Sequence, residues 1–213
     1  MLTVNEIFHS IQGESSYAGL PCVFVRLTAC DLRCAWCDTA YAFTEGRKRE
    51  VGDVLTEVAA YGCRLVEVTG GEPLLQADVY PLMQGLLDAG HEVLLETGGH
   101  VSLERVPARV VRIMDVKCPA SGEAGTTDWN NLSLLGPRDE VKFVIADRVD
   151  YEYASDVVAR HGLTPRVASV LFSPVYGRMS PAELAAWVLA DRLPVRVQLQ
   201  VHKVIWGPAT RGV

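Results

Sequence analysis

From residue 22 to residue 200 the chain alternates short apolar runs with longer amphipathic stretches. CVFVRLT (22–28), RLVEVTG (64–70), EVLLET (92–97), VVRIMDV (110–116), EVKFVIA (140–146), RVASVLFS (166–173) and PVRVQLQ (194–200) read as strands. VGDVLTEVAAYG (51–62), ADVYPLMQGLLDAG (77–90), DYEYASDVVARHG (150–162) and SPAELAAWVLA (180–190) read as helices. Pro81 falls in the first turn of the second helix and Gly90 stops it. The last helix opens with Ser180 at the cap, Pro181 at the first position and Glu183 at the third. Such a succession dictates a mainly parallel sheet with helical crossovers. Six or seven strand–helix units, ~30 residues each, fit an incomplete barrel, and an open doubly wound sheet fits the same periodicity. In both, the loops after the strands are where chemistry gathers.

The 213 residues predict one domain, 1–213, with short terminal extensions, and 49% hydrophobic residues give it a sizeable core. A formal net charge of −6 argues against a broad nucleic-acid footprint, although small anionic ligands need only one or two local cations. No stretch reaches the roughly 20 apolar residues of a membrane span. The opening MLTVNEIFHS lacks the basic start and apolar run of a signal peptide. The cytoplasm is therefore the expected compartment, where six cysteines are reduced, buried or metal-bound rather than paired.

Three of those cysteines crowd into ACDLRCAWCDT (29–39), as Cys30, Cys34 and Cys37 in CxxxCxxC spacing. A zinc site would need a fourth ligand from another cysteine or a histidine. A redox-active CxxC at Cys34 and Cys37 leaves Cys30 unexplained. Three thiolates suit three corners of a cubane iron–sulfur cluster, leaving the fourth iron open to an exogenous ligand; four would favour electron transfer. Cys22 and Cys63 read as ordinary buried or half-buried thiols, and Cys118 has no close ligand partner.

CDLRCAWCDT resembles the radical S-adenosylmethionine superfamily, whose motif is CxxxCxxC, with Trp36 as its aromatic residue before the last cysteine. TGGEP (69–73), at the end of the next strand, resembles that superfamily's second motif. There Gly70 and Gly71 permit close backbone approach, and Glu72 can accept a hydrogen bond from the cofactor's ammonium group. More narrowly, IFHSIQGESSYAGLPCVFVRLTACDLRCAWCDT (7–39) resembles the 7-carboxy-7-deazaguanine synthase family, and later segments (LLETGG, MDVKCPASGE, EVKFVIAD, FSPV, VQLQVHKVIW) carry the likeness to residue 206. The resemblance implies a compressed, incomplete TIM-like (β/α) barrel of class α/β with mainly parallel strands, and a homodimer. It implies a radical lyase that converts 6-carboxy-5,6,7,8-tetrahydropterin to 7-carboxy-7-deazaguanine and ammonia in the queuosine and deazapurine pathways. Its cofactors would be a 4Fe–4S cluster, S-adenosylmethionine and Mg2+, its reductant a flavodoxin or ferredoxin. In this family an adenosyl radical takes hydrogen from C6 of the pterin and later recovers it. The chain departs slightly from the pattern: TAC stands where GC is commoner around Cys30, which implies slightly altered loop packing. The competing classes are a radical enzyme that activates a glycyl-radical protein, and an iron–sulfur electron carrier without catalysis.

The resemblance assigns Cys30, Cys34 and Cys37 to the cluster, and Trp36, Gly70, Gly71 and Glu72 to the cofactor. Thr39 is assigned to magnesium, a cation that prefers oxygen; the bland alternative is a turn stabilised after Asp38. Gln12, Glu14 and Arg26 are the substrate candidates. Arg26, a charge inside an apolar strand, can grip a carboxylate bidentately or lie on an edge strand. Gln12 and Glu14 can read the donor–acceptor edge of a pterin or cap a loop. Glu96 and Thr97 in ETGG face the substrate or simply end a strand. Lys117 and Ser121 bind the cofactor's carboxylate or ribose, unless Lys117 pairs with Asp115; Ser173 has the same standing. His9 and His202 read as packed residues, Trp206 as core, and His91, His100 and His161 as turn residues without a catalytic part.

Overall fold

The apolar runs become strands of a single sheet. The computed structural model describes residues 1–213. Its strands are β1 (Leu2–Ile11), β2 (Pro21–Leu27), β3 (Arg47–Arg49), β4 (Leu65–Gly70), β5 (Glu92–Thr97), β6 (Val111–Asp115), β7 (Glu140–Ile145), β8 (Ser169–Pro174) and β9 (Arg196–Val197). They lie in the order β3-β1-β2-β4-β5-β6-β7-β8-β9. From β2 to β9 every neighbouring pair is parallel, while β1 runs antiparallel to both β2 and β3. The end strands β3 and β9 do not pair with each other, so the sheet curves without closing. This is the incomplete barrel that the resemblance implied.

Helices α1 (Val51–Ala60), α2 (Val79–Asp88), α4 (Arg148–His161) and α5 (Pro181–Ala190) fall where the periodicity places them. Asp147 caps α4 by accepting from the Asp150 N–H at 3.1 Å, and Gly162 ends it in the left-handed conformation at φ 56°. Ser180 caps α5 by accepting from the Glu183 N–H, with Pro181 at the first position. Only a short α3 (Asn131–Leu134) and single turns occupy the β6–β7 crossover, and the β5–β6 crossover has no helix.

The structure departs from the sequence reading in four places. β1 is a full strand that the alternation does not announce, because a register shift between Val4 and Glu6 breaks its alternation. RVASVLFS is extended only from Ser169, since the N–H groups of Arg166 and Val167 close a turn onto the Leu163 carbonyl. PVRVQLQ pairs only through Arg196 and Val197. Its continuation is drawn off the sheet when Val201 N–H donates to the Gly13 carbonyl at 2.9 Å, and a last helix, α6 (Val201–Trp206), begins there. Trp206 is exposed at the end of α6 rather than part of the core.

The convex face of the sheet packs against the helices in an apolar layer that includes Val66, Val68, Leu82, Leu86, Phe143, Tyr151 and Phe172. Each large apolar side chain fully buried there stabilises the fold by roughly 1.5–3 kcal/mol. The concave face has only a small apolar floor of Phe8, Cys22, Phe24, Leu65, Leu94, Val111 and Ile113. Above that floor, toward the C-terminal strand ends, the concave face is polar.

Candidate active site

A cavity of about 270 Å³ opens over this floor. Its wall is built from the C-terminal ends of β2, β4, β5, β6 and β7 and the loops that follow them. The cysteine loop after β2 brings Cys30, Cys34 and Cys37 to this wall, together with Trp36 and Thr39. All three thiols are free; Cys30 and Cys34 are partly buried and Cys37 is exposed. Burial pushes the Cys30 and Cys34 thiols above their ordinary range, and Lys117 opposes that at Cys34.

The glycines of TGGEP seat this loop. Gly71 N–H donates to the Leu27 carbonyl at 3.1 Å and Glu72 N–H to the Ala29 carbonyl at 2.8 Å. A Cβ on Gly71 would stand 2.2 Å from the Ala29 oxygen and 2.8 Å from Cys30 Cβ; one on Gly70 would stand 2.2 Å from the Leu27 oxygen. Gly70 has φ 149°. Both positions are thus closed to side chains before any ligand is considered. Ala29 itself takes φ 81°, a conformation that glycine adopts more readily.

Glu72 is buried below the loop. It accepts from the Thr97 hydroxyl at 2.9 and 3.0 Å, from Gly98 N–H at 2.8 Å and from Leu74 N–H at 3.1 Å. Burial still raises its pKa against these donors. His100, which the sequence leaves without a role, lines the cavity. Its Nε2 is 2.6 Å from Asp31 Oδ1 and its Nδ1 is 3.8 Å from Glu72 Oε2, so it ties the cysteine loop to the TGGEP motif.

The opposite wall centres on Lys142. Its Nζ donates to Glu14 Oε2 at 2.9 Å and to Glu96 Oε1, and lies 3.6 Å from Asp115 Oδ2. Lys117 is paired with Asp115 at 2.9 Å, so the ion pair exists and still borders the cavity. Burial would raise Glu14, but Lys142 and the Gln200 amide at 2.8 Å outweigh it and hold that carboxyl below its ordinary range. Glu67, another residue the sequence passes over, is buried on the same wall and accepts from the Gln12 amide. Burial, then the fields of Glu96 and Glu14, push its carboxyl well above the ordinary range. Lys142 and Glu67 had a visible signal: each is a charge flanked by apolar residues inside a strand.

Arg26 is in a central strand, between β1 and β4, and not at an edge. Its Nε donates to Glu6 at 2.8 Å, an acceptor shared with the Tyr41 hydroxyl at 2.8 Å. The Thr39 hydroxyl donates to Asp38 at 2.9 Å, and Lys203 Nζ lies 2.5 Å from the same carboxylate. Against burial, Lys203 brings the Asp38 pKa down to about 2. His202 packs on Gly13, where a Cβ would stand 2.0 Å from its Nδ1.

Most of the residues singled out in the sequence therefore meet at one cavity; two do not. The Ser121 hydroxyl donates to the Cys118 carbonyl at 2.6 Å and accepts from Glu123 N–H at 3.0 Å, away from the cavity wall. Ser173 is buried with an unpartnered hydroxyl, paired across the sheet with Val144, which does line the cavity. Asp115 Oδ1 is also buried and unpartnered. Three free thiols on one loop, a glycine seat and unsatisfied polar atoms fit an iron–sulfur cluster with an organic cofactor beside it. No three His, Cys, Asp or Glu side chains converge as a ready-made site for a single metal ion.

Comparison with known proteins agrees with this geometry. Residues 25–175 match the radical SAM superfamily. The chain is 50% identical to a 7-carboxy-7-deazaguanine synthase of Koribacter versatilis, covering all of both chains. It is 47% identical to one of Chlorobaculum tepidum, covering 100% of this chain and 97% of that one. In fold it is similar to the crystal structure of QueE from Escherichia coli, with a TM-score of 0.78, 23% identity and 94% of each chain covered.

Proposed function

The chain belongs to the 7-carboxy-7-deazaguanine synthase family of the radical SAM superfamily, and we infer that its own residues perform that family's ring contraction as follows. The reaction takes 6-carboxy-5,6,7,8-tetrahydropterin to 7-carboxy-7-deazaguanine and ammonia, in queuosine and deazapurine biosynthesis. The observation that carries the residue assignment is the meeting of the cysteine loop, the TGGEP seat and the Gln12–Glu14 loop at one cavity.

Cys30, Cys34 and Cys37 hold the 4Fe–4S cluster, and Gly70, Gly71, Glu72, Trp36 and Lys117 surround S-adenosylmethionine beside it. Together these cofactors supply the one-electron, hydrogen-abstracting chemistry. Thr39 and its neighbour Asp38 offer oxygen ligands to magnesium. The Arg26 guanidinium receives the substrate carboxylate, with Glu6 fixing its angle. Gln12, Glu14, Glu96 and Thr97 face the pterin over the floor of Phe8, Phe24 and Ile113. Glu14 is held ionised as an acceptor for ring N–H groups. A flavodoxin or ferredoxin is the reductant, a homodimer the working unit and the cytoplasm the compartment; no helix is long and apolar enough to cross a membrane.

Anaerobic turnover tests this reading. Reconstituted protein with reductant, S-adenosylmethionine, magnesium and the carboxylated tetrahydropterin should yield the deazaguanine by mass and absorbance, with ammonia. An intact cluster that binds the cofactor but yields no product would defeat the substrate assignment.

A further inference from the structure

The reading above leaves the most deeply buried ammonium of the cavity without a task. Lys142 projects from the middle of β7 with a side chain only 5% exposed. The two carboxylates it touches most closely differ. Both oxygens of Glu14 are engaged, Oε1 by the Gln200 amide and Oε2 by Lys142 with the Gln198 amide at 3.4 Å, which makes Glu14 a fixed acceptor. Glu96 gives Oε1 to Lys142, while its Oε2 accepts only from the Thr69 hydroxyl at 3.3 Å. Its side chain is 29% exposed and borders the cavity. Glu96 is therefore a carboxylate with a spare oxygen facing substrate, joined directly to an ammonium.

Loss of ammonia with aromatisation needs such a pair. A ring carbon must surrender a proton while the departing nitrogen gains one, so substrate and products balance with no proton supplied from outside. We propose that Lys142 is the proton donor to the departing ammonia and that Glu96 is its paired acceptor; the proposal rests on the ring-contraction reading. Glu96 takes the ring proton. The C–N bond breaks, its electron pair going to nitrogen, which receives a proton from Lys142 Nζ as the ring gains its double bond. The Glu96 carboxylic acid then returns its proton to Lys142, and both groups are reset.

The surrounding charges make this order self-consistent. Burial lowers the pKa of Lys142, but Glu14, Glu96 and Asp115 outweigh it and hold the ammonium well above its ordinary range. Protonation of Glu96 removes one of those fields, so Lys142 becomes the stronger acid at the moment nitrogen must leave. The cavity's other titratable groups, among them Lys117, Glu67, Asp38 and His202, make no hydrogen bond to Lys142 or Glu96.

The test uses reconstituted protein with substrate deuterated at C6. It follows deuterium reaching S-adenosylmethionine, which precedes elimination, and ammonia release, which follows it. Lys142→Met and Lys142→Arg should both keep deuterium transfer within about threefold. Both should lose ammonia release by about 100-fold or more, the usual scale of general acid catalysis. A species of the substrate's mass with altered absorbance should accumulate. Arginine keeps the charge but does not act as an acid, so near-normal ammonia release by Lys142→Arg overturns the proposal. Parallel loss of both signals overturns it too, since that is what a structural role produces. Should the lysine variants fail to fold, Glu96→Gln must show the same split, and normal ammonia release from it is equally fatal. Wild-type protein giving neither signal refutes the ring-contraction reading itself.

Discussion

Along β7, Val141, Phe143 and Ile145 enter the apolar layer under the helices, while Lys142 and Val144 border the cavity. Along β4 the split is the same: Val66 and Val68 face the helices, Glu67 and Thr69 the cavity. Both faces are buried, but they are kept dry by different means. The convex side is apolar and gains stability in proportion to the area it hides. The concave side holds carboxylates and ammonium groups whose desolvation is offset only by one another. A protein can exchange residues on the second face for apolar ones of similar volume with little harm to folding. On the first face the costly changes are those that leave a cavity or bury an unpaired polar group. Apolar packing and the charges of the cavity are thus carried by alternate residues of the same strands.

Substitutions that fall on one face only sharpen that contrast. The largest effect is expected from Gly71→Ala, whose Cβ would strike the Ala29 carbonyl. The cysteine loop must lift from its seat, and reconstituted iron and sulfide should fall to near background while circular dichroism stays that of a folded sheet. Phe143→Ala should do the opposite. It removes a fully buried ring packed edge-on to Phe172 at 5.6 Å. Urea unfolding should show a loss of about 3–5 kcal/mol, with turnover per intact cluster unchanged.

Glu67→Gln probes the concave side by pH. The Glu67 carboxyl is raised in the fold, above all by burial. Its neutral form fits there, so its contribution is intact below the unfolded-state pKa and is lost as pH rises through the folded one. The variant should match wild type near about pH 4 and be the more stable near about pH 8. Equal pH slopes in denaturant titrations would contradict this. The smallest effect belongs to Ala29→Gly. Relief of the left-handed backbone at Ala29 should exceed the entropy that glycine loses, for a net gain of about 0.5–1 kcal/mol. A lower melting temperature would count against strain at that residue.

The convex face was legible in the sequence because apolar runs and helical periodicity are local signals. The concave face was legible where motifs mark it, as at Cys30, Cys34, Cys37 and Gly70–Glu72. Lys142 and Glu67 interrupt apolar strands, but their meaning depends on partners such as Glu14 and Gln12, far away in the chain. His100 sits in a turn and acquires a role only when Asp31 and Glu72 fold against it. β1 was hidden by its bulge, and α6 by its shortness and its dependence on Gly13. Gly70 and Gly71 were read as approach points for a cofactor; their first duty is to the backbone of the cysteine loop.

The attachments of α6 also have a consequence in time. Val201 binds the Gly13 carbonyl, His202 lies on Gly13, and Lys203 pairs with Asp38 beside the last cysteine. A chain leaving the ribosome therefore releases its three thiols roughly 160 residues before the helix that fastens the surrounding loops, at a synthesis rate of ~5–20 residues per second. For that interval of roughly 8–30 seconds the thiols belong to an unfinished vessel. The loops around the cysteines are therefore fastened only once Val201, His202 and Lys203 have been made.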